Sequence, residues 1–317
     1  MRYRTVSRAT VLAVTIAAAL SVGGVVAGQS EPGTEAPRTA WGDPDLQGVW
    51  SYASLTPLQR PANLEGQQFY SEEEAASRNA SVHIEAPPRP GDVGAYNVHW
   101  FDRGEVLPDR RTSLIIDPVE GRLPLNDEGR RQVESRRSAR QARPADSWLD
   151  RVPWDRCLTY HGVPPVSTGY NNTYHIVQTP DHVAIQVENI HDIRIIPLDG
   201  RPALSGSIQQ WNGDSRGHWD GNTLVVETAN YSNQTEHRFP STAATRAIER
   251  FTRIGSDEIE YEFTIEDPSI YTQPWTAMRV MPQLPDYVIY EYACHEGNYA
   301  MEGILGGARA QEREAQQ

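Results

Sequence analysis

The sequence predicts a mainly β fold: an antiparallel β-barrel with an irregular N-terminal region and short peripheral helices. Three observations carry this. Ile259, Tyr261, Phe263 and Ile265 alternate with Glu260, Glu262, Thr264 and Glu266, and Val183, Ile185 and Val187 alternate with Ala184, Gln186 and Glu188. A period of two puts one apolar face inward and leaves the other wet. Turn signals at Pro180-Asp181, Asp199-Gly200, Asp220-Gly221-Asn222, Gly255-Ser256-Asp257 and Pro285-Asp286 separate such runs, with no helical segment between them. A long antiparallel meander must protect its edges, and closure into a barrel does so.

The elements follow in order. Arg2, Arg4 and Arg8 precede an apolar Ala/Val-rich run over 11–27, with Val25 and Ala27 placed as the small residues of a cleavage site. This pattern predicts a signal peptide over 1–27, the alternative being an uncleaved single-helix anchor. Residues 28–44 read as a linker, and 45–317 as one barrel-like domain. Residues 45–52 alternate as a first strand; 55–100 are irregular, with prolines at 87, 88 and 90. Ser71 followed by Glu72, Glu73 and Glu74 predicts a capped helix over 71–79. Residues 112–117 read as a strand, 126–143 as a polar, Arg-rich helical insertion, and 300–314 as a terminal helix. A last strand is expected to run out just before Cys294.

Composition excludes several classes of chemistry. All 29 basic residues are arginine. Without lysine there is no Schiff base, no covalently attached pyridoxal phosphate, no phosphate-loop lysine and no lysine general base. A formal net charge of −13 argues against nucleic acid and anionic lipid as partners. Export to the periplasm or beyond would place Cys157 and Cys294 in an oxidising compartment. A disulfide is the expected outcome there; two free thiols, or a metal set completed by His161 and His295, are the alternatives.

Residues 45–50, with Gly48-x-Trp50, resemble the opening motif of the calycin/lipocalin barrels, in which the Trp plugs one end. Pro285-Asp286-Tyr287 followed by Tyr290 and Cys294 resembles their second motif. A wider resemblance is to a family of secreted bacterial proteins. It rests on Tyr170-Asn171-Asn172, on 195–202 (IIPLDGRP), on 213–217 (GDSRG) and 219–228 (WDGNTLVVET), on Glu249-Arg250-Phe251-Thr252, on Asp267-Pro268, on Pro274-Trp275-Thr276 and on 293–298 (ACHEGN). These resemblances imply export and a calycin-like barrel, and they imply no activity, cofactor or catalytic residue.

Three functions are compatible with this chain. The leading one is binding of a small amphipathic or aromatic molecule inside the barrel, suggested by 8 Trp and 14 Tyr against 5 Phe. His175, His191, Asp214, Arg216, Trp219 and Tyr290 are its candidate contacts. The second is a cofactor-independent lyase, hydratase or isomerase. In it His295 is the acid or base, Glu296 or Asp155 its orienter, and Arg194 the stabiliser of a developing anion. Arg194 lies between Ile193 and Ile195, so it holds either an ion-pair partner such as Glu188, Glu227 or Glu291, or an anionic ligand. Gly213-Asp214-Ser215-Arg216-Gly217 is either a ligand loop or a hairpin tied by an Asp–Arg bridge. The third function is an envelope interaction module. No cofactor is expected: His175, His191 and His295 lack metalloprotease spacing, and Ser215 lacks the Gly-x-Ser-x-Gly setting of a serine nucleophile.

Overall fold

A computed structural model describes residues 36–82, 101–142, 145–160 and 162–317. The expected signal peptide, the prolines at 87, 88 and 90, and His161 lie outside these. Among the described residues, ten strands form two antiparallel sheets. The smaller has the order β1-β3-β4-β5, with β1 at Gly48–Ser51, β3 at Thr173–Gln178, β4 at His182–Val187 and β5 at Ile193–Pro197. The larger has the order β2-β10-β9-β8-β7-β6. Its strands are β2 at Ile115–Asp117, β6 at Asp214–Asp220, β7 at Thr223–Ala229, β8 at Arg246–Arg253, β9 at Glu258–Glu266 and β10 at Trp275–Pro282. The fold is mainly β and antiparallel, as the sequence predicts, and neither sheet closes on itself.

The alternating pattern explains the core. Ile259, Tyr261, Phe263 and Ile265 of β9 are fully buried, and so are Phe251 of β8 and Trp275, Ala277 and Met281 of β10. Rings interlock across these strands: Phe251 and Tyr261 lie 4.7 Å apart, and Phe263 and Trp275 meet edge-on at 5.7 Å. Burying each such side chain contributes about 1.5–3 kcal/mol. Trp50, Tyr174, Ile176, Val183, Ile185 and Ile196 supply the facing surface from the smaller sheet. Hydroxyl ladders such as Thr264–Thr276 (2.8 Å) and Thr223–Thr252 (2.7 Å) tie the outer faces.

The sheets meet at both margins. Along one, β5 lies beside β6, and Gly217 admits the approach: a Cβ there would lie 2.7 Å from Leu198 Cδ2 and 2.9 Å from Ile196 Cγ2. Along the other, Trp50 bridges to Gln283, and the Leu284 N–H donates to Val49 O at 2.8 Å. Trp50 is fully buried; its Nε1 donates to Leu46 O (2.8 Å), and the Arg253 guanidinium lies 5.1 Å from its ring. Arg253 also donates to the carbonyls of Asp45, Gly255 and Ser256, closing that end.

Among the described residues, three α-helices are peripheral. Helix α1, Glu72–Ser81, has the expected capping box of Ser71 and Glu74. Helix α2, Asp127–Ala142, is held at its start by Asn126, whose Oδ1 accepts from Gly129 N–H at 2.9 Å. Gln132 docks its middle on Ser241. Helix α3, Ala300–Ala315, buries no residue. Among the described residues, no helix is long and apolar enough to cross a membrane.

One expectation from the sequence is corrected here. The last strand ends at Pro282, and no strand forms over 283–299. Tyr287, Val288 and Tyr290 stand exposed, and β2 and Trp50 of β1 occupy that margin of β10. Within residues 38–44, Arg38 bridges to Pro44, and Gln178 donates to Pro44 O.

Candidate functional site

Three strand connections at one end of the sheets are tight, at 179–181, 221–222 and 254–257, whereas the longer segments 162–172, 230–245 and 267–274 gather at the other. That second end carries the chemistry-bearing side chains.

His237 is its buried anchor. Its Nε2 lies 3.0 Å from Val163 O, and its Nδ1 lies 2.9 Å from Ser241 Oγ. A carbonyl can only accept, so Nε2 carries the proton and Nδ1 accepts from the serine. The ring stacks on Phe239 and meets Tyr231 edge-on, both at 4.9 Å. Burial brings the imidazole pKa down to about 4, with the Val163 bond opposing and Arg136 reinforcing the shift, so it is neutral near pH 7. Gly162, at φ +68°, lies against the ring; a Cβ there would be 2.8 Å from His237 Cδ2.

A groove curves around this anchor. One part, of about 680 Å³, lies between 149–156 and 233–236. A second, of about 330 Å³, shares Val152, Pro153 and Glu236 with the first and reaches Trp154 and Arg238. A third, of about 880 Å³, lies along α2 and shares His237 and Arg238 with the second. Its walls carry Arg122, Arg136, Arg137, Arg151, Arg156 and Arg238 against only Asp150 and Glu236. Some of these cations are already engaged: Arg151 pairs with Asp155 at 2.7 Å, and Arg136 donates to Phe239 O at 3.2 Å. The Arg156 guanidinium sits 4.5 Å from the Trp148 ring and 5.7 Å from that of Trp211. Such stacking leaves the guanidinium edge available to an acceptor.

Cys157 and Cys294 are joined in a disulfide that closes 137 residues of chain. It sets 154–157 beside 294–298, where Asn298 Nδ2 lies 2.9 Å from Cys157 Sγ. His295 and Glu296 are nonetheless exposed, and Asp155 is committed to Arg151. Arg194 points inward and pairs with Glu249, not with Glu188, Glu227 or Glu291; Tyr261 also donates to Glu249, at 2.8 Å. His175 stands on the opposite, outer face of the small sheet from Arg194, since its neighbour Tyr174 faces the core. His191 lies in the short turn over Asn189–His191.

Asp214 and Arg216 form an ion pair on β6 that also binds the chain leading into it, through Leu204 N–H and Pro202 O. Trp219 is half-buried against the core, and Tyr290 is exposed. Sequence reasoning missed His237, Glu249, Arg253 and Arg279. The two-residue period contained a signal for the last three: Glu249 and Arg253 flank Phe251, and Arg279 lies between Ala277 and Met281, all on inward positions. Nothing local marks His237.

Compared with protein-family models and with curated proteins, the chain matches none.

Proposed function

We propose that this is an exported binding protein for a small anionic molecule with an aromatic or apolar body, held in the arginine-lined groove around His237. One observation carries the reading: six arginines line this groove on a chain of net charge −13. Guanidinium groups bind carboxylate, phosphate and sulfonate through paired N–H bonds, and the indoles of Trp148 and Trp211 offer flat apolar faces beside Arg156.

This moves the ligand out of the interior, where the sequence reading had placed it. We read the two sheets as an incompletely closed calycin-like barrel, joined at β5–β6 and at β1–β10. Its inside is filled by Trp50, Tyr174, Tyr261, Phe251 and Arg279, and the opening beside Tyr52 and Tyr160 measures about 10 Å³. That is about the room of one water molecule at most, so no organic ligand fits there without repacking. Binding is favoured over catalysis because the buried imidazole of His237 is neutral and occupied at both nitrogens, and His295 and Glu296 project into solvent. Export rests on the N-terminal segment, and the disulfide suits an oxidising compartment.

Titration with 1-anilinonaphthalene-8-sulfonate, an anionic aromatic probe, tests the reading. Saturable enhancement that weakens about tenfold in Arg156→Ala and falls with added salt is expected. Enhancement that is indifferent to both would overturn it.

A further inference from the structure

The part of the groove that runs along α2 has different walls from the part beside Arg156. It measures about 880 Å³, within the usual range for a small-molecule site, and neither an indole nor a phenol lines it. Phe239 is buried there, stacked on His237 and edge-on to Trp275, so its ring is already covered. The apolar surface left open is aliphatic. Leu123 and Leu125 are half-buried against the core, and Val133 of α2 is 41% exposed. Val133 is the one large apolar residue of an otherwise polar, charged helix, and it lines this groove instead of joining the core.

The charges along this part are of one sign. Arg122, Arg136, Arg137 and Arg238 line it and no carboxylate does, on a chain of net charge −13. Carbonyls hold two of these cations: Arg136 donates to Phe239 O at 3.2 Å, and Arg122 to Arg60 O at 3.0 Å. Arg137 is exposed, and among the described residues no acid forms an ion pair with it.

Helix geometry puts the free cation and the aliphatic surface in line. Gly129, Val133 and Arg137 follow one another at intervals of four, so they share one face of α2 over about 12 Å. Gly129 lies against Leu125, where a Cβ would be 2.9 Å from Leu125 Cδ2, and this carries the apolar line onward. The wall is fixed in place: Gln132 Nε2 donates to Ser241 O, and its Oε1 accepts from Ser241 N–H, both at 3.1 Å.

We propose that this part of the groove binds a single-chain aliphatic carboxylate, its head on Arg137 and its alkyl chain along Val133, Leu125 and Leu123. A guanidinium meets a carboxylate through paired N–H bonds, and the chain takes from water the apolar surface that α2 leaves open. The inference rests on the groove being an anion site and narrows its ligand to an aliphatic amphiphile.

Calorimetric titration of the full chain with hexanoate, octanoate, decanoate and dodecanoate, each below its micelle-forming concentration, supplies the test. Affinity is expected to rise about two- to fourfold per added methylene. Dodecanol, which lacks the charge, should bind about tenfold or more weakly than dodecanoate. Arg137→Ala should weaken every acid by a similar factor of about ten, whereas Val133→Asn should flatten the dependence on chain length. Both positions are exposed, so both variants should fold, as their melting temperatures check. Affinities that ignore chain length, or that neither substitution alters, overturn the proposal. So does binding to phosphatidylglycerol vesicles without binding to the monomeric acids. If the naphthalene sulfonate responds to Arg156→Ala and to salt while the acids fail, this inference falls and the groove remains an anion site. If neither probe binds, both readings fall.

Discussion

Arg194 on β5 and Glu249 on β8 join the two sheets through the interior of the molecule. The guanidinium makes two bonds to the carboxylate, and Tyr261 Oη adds a third. Both charges are buried, so each is tolerated only because the other is present. Burial and the nearby carboxylate of Glu249 push the Tyr261 hydroxyl far up, so it stays a donor at any ordinary pH.

Removing one partner is therefore worse than removing both. Glu249→Leu alone should cost about 3–5 kcal/mol in urea unfolding, since it strands the arginine. The double variant Arg194→Met, Glu249→Leu should recover most of that loss. Additive losses in the two single variants would mean the pair is not coupled.

His237 sets a pH dependence. Its folded-state pKa is brought down to about 4 from an ordinary 6.5. Between those values the unfolded chain takes up a proton that the native protein refuses. Stability is therefore fully present above about pH 6.5 and declines as pH falls towards 4, by about 3 kcal/mol in all. Urea unfolding across pH 4–7 should show this slope in the wild type and a shallower one in His237→Gln. Equal slopes would remove His237 from the account.

Gly217 is required by the β5–β6 margin. Gly217→Ala should cost about 1–3 kcal/mol, because the added methyl meets Leu198 and Ile196. Combining it with Ile196→Ala should cost less than the sum of the two single losses, since the second change vacates the space. A double-mutant cycle with no coupling would contradict the close approach.

The disulfide holds the C-terminal segment. Cys157 and Cys294 close 137 residues, for which chain entropy assigns about 5 kcal/mol. Helix α3 buries nothing that could replace the tether. Replacing both cysteines by serine should lower unfolding stability by a few kcal/mol and speed proteolytic cleavage between 283 and 299. Unchanged cleavage there would show that other contacts suffice.

What the sequence determined by itself was local. The alternation in β4 and β9 fixed which side chains face the core, because a strand's side-chain period is two and cannot drift. Ser71 with Glu74 announced α1, and Gly48-x-Trp50 placed a buried indole, since capping and a tight approach are decided by neighbours in the chain. Export aside, the pairing of Cys157 with Cys294 was also within reach, there being only two cysteines to pair. The tertiary structure decided everything that joins distant segments. Glu249 was visible as an inward acid, but its choice of Arg194 depends on how two sheets face each other. The same holds for Arg253 over Trp50 and for the groove that draws on α2, 149–156 and 233–240. A residue's face follows from its own backbone; its partner follows from packing, which no single stretch of sequence contains.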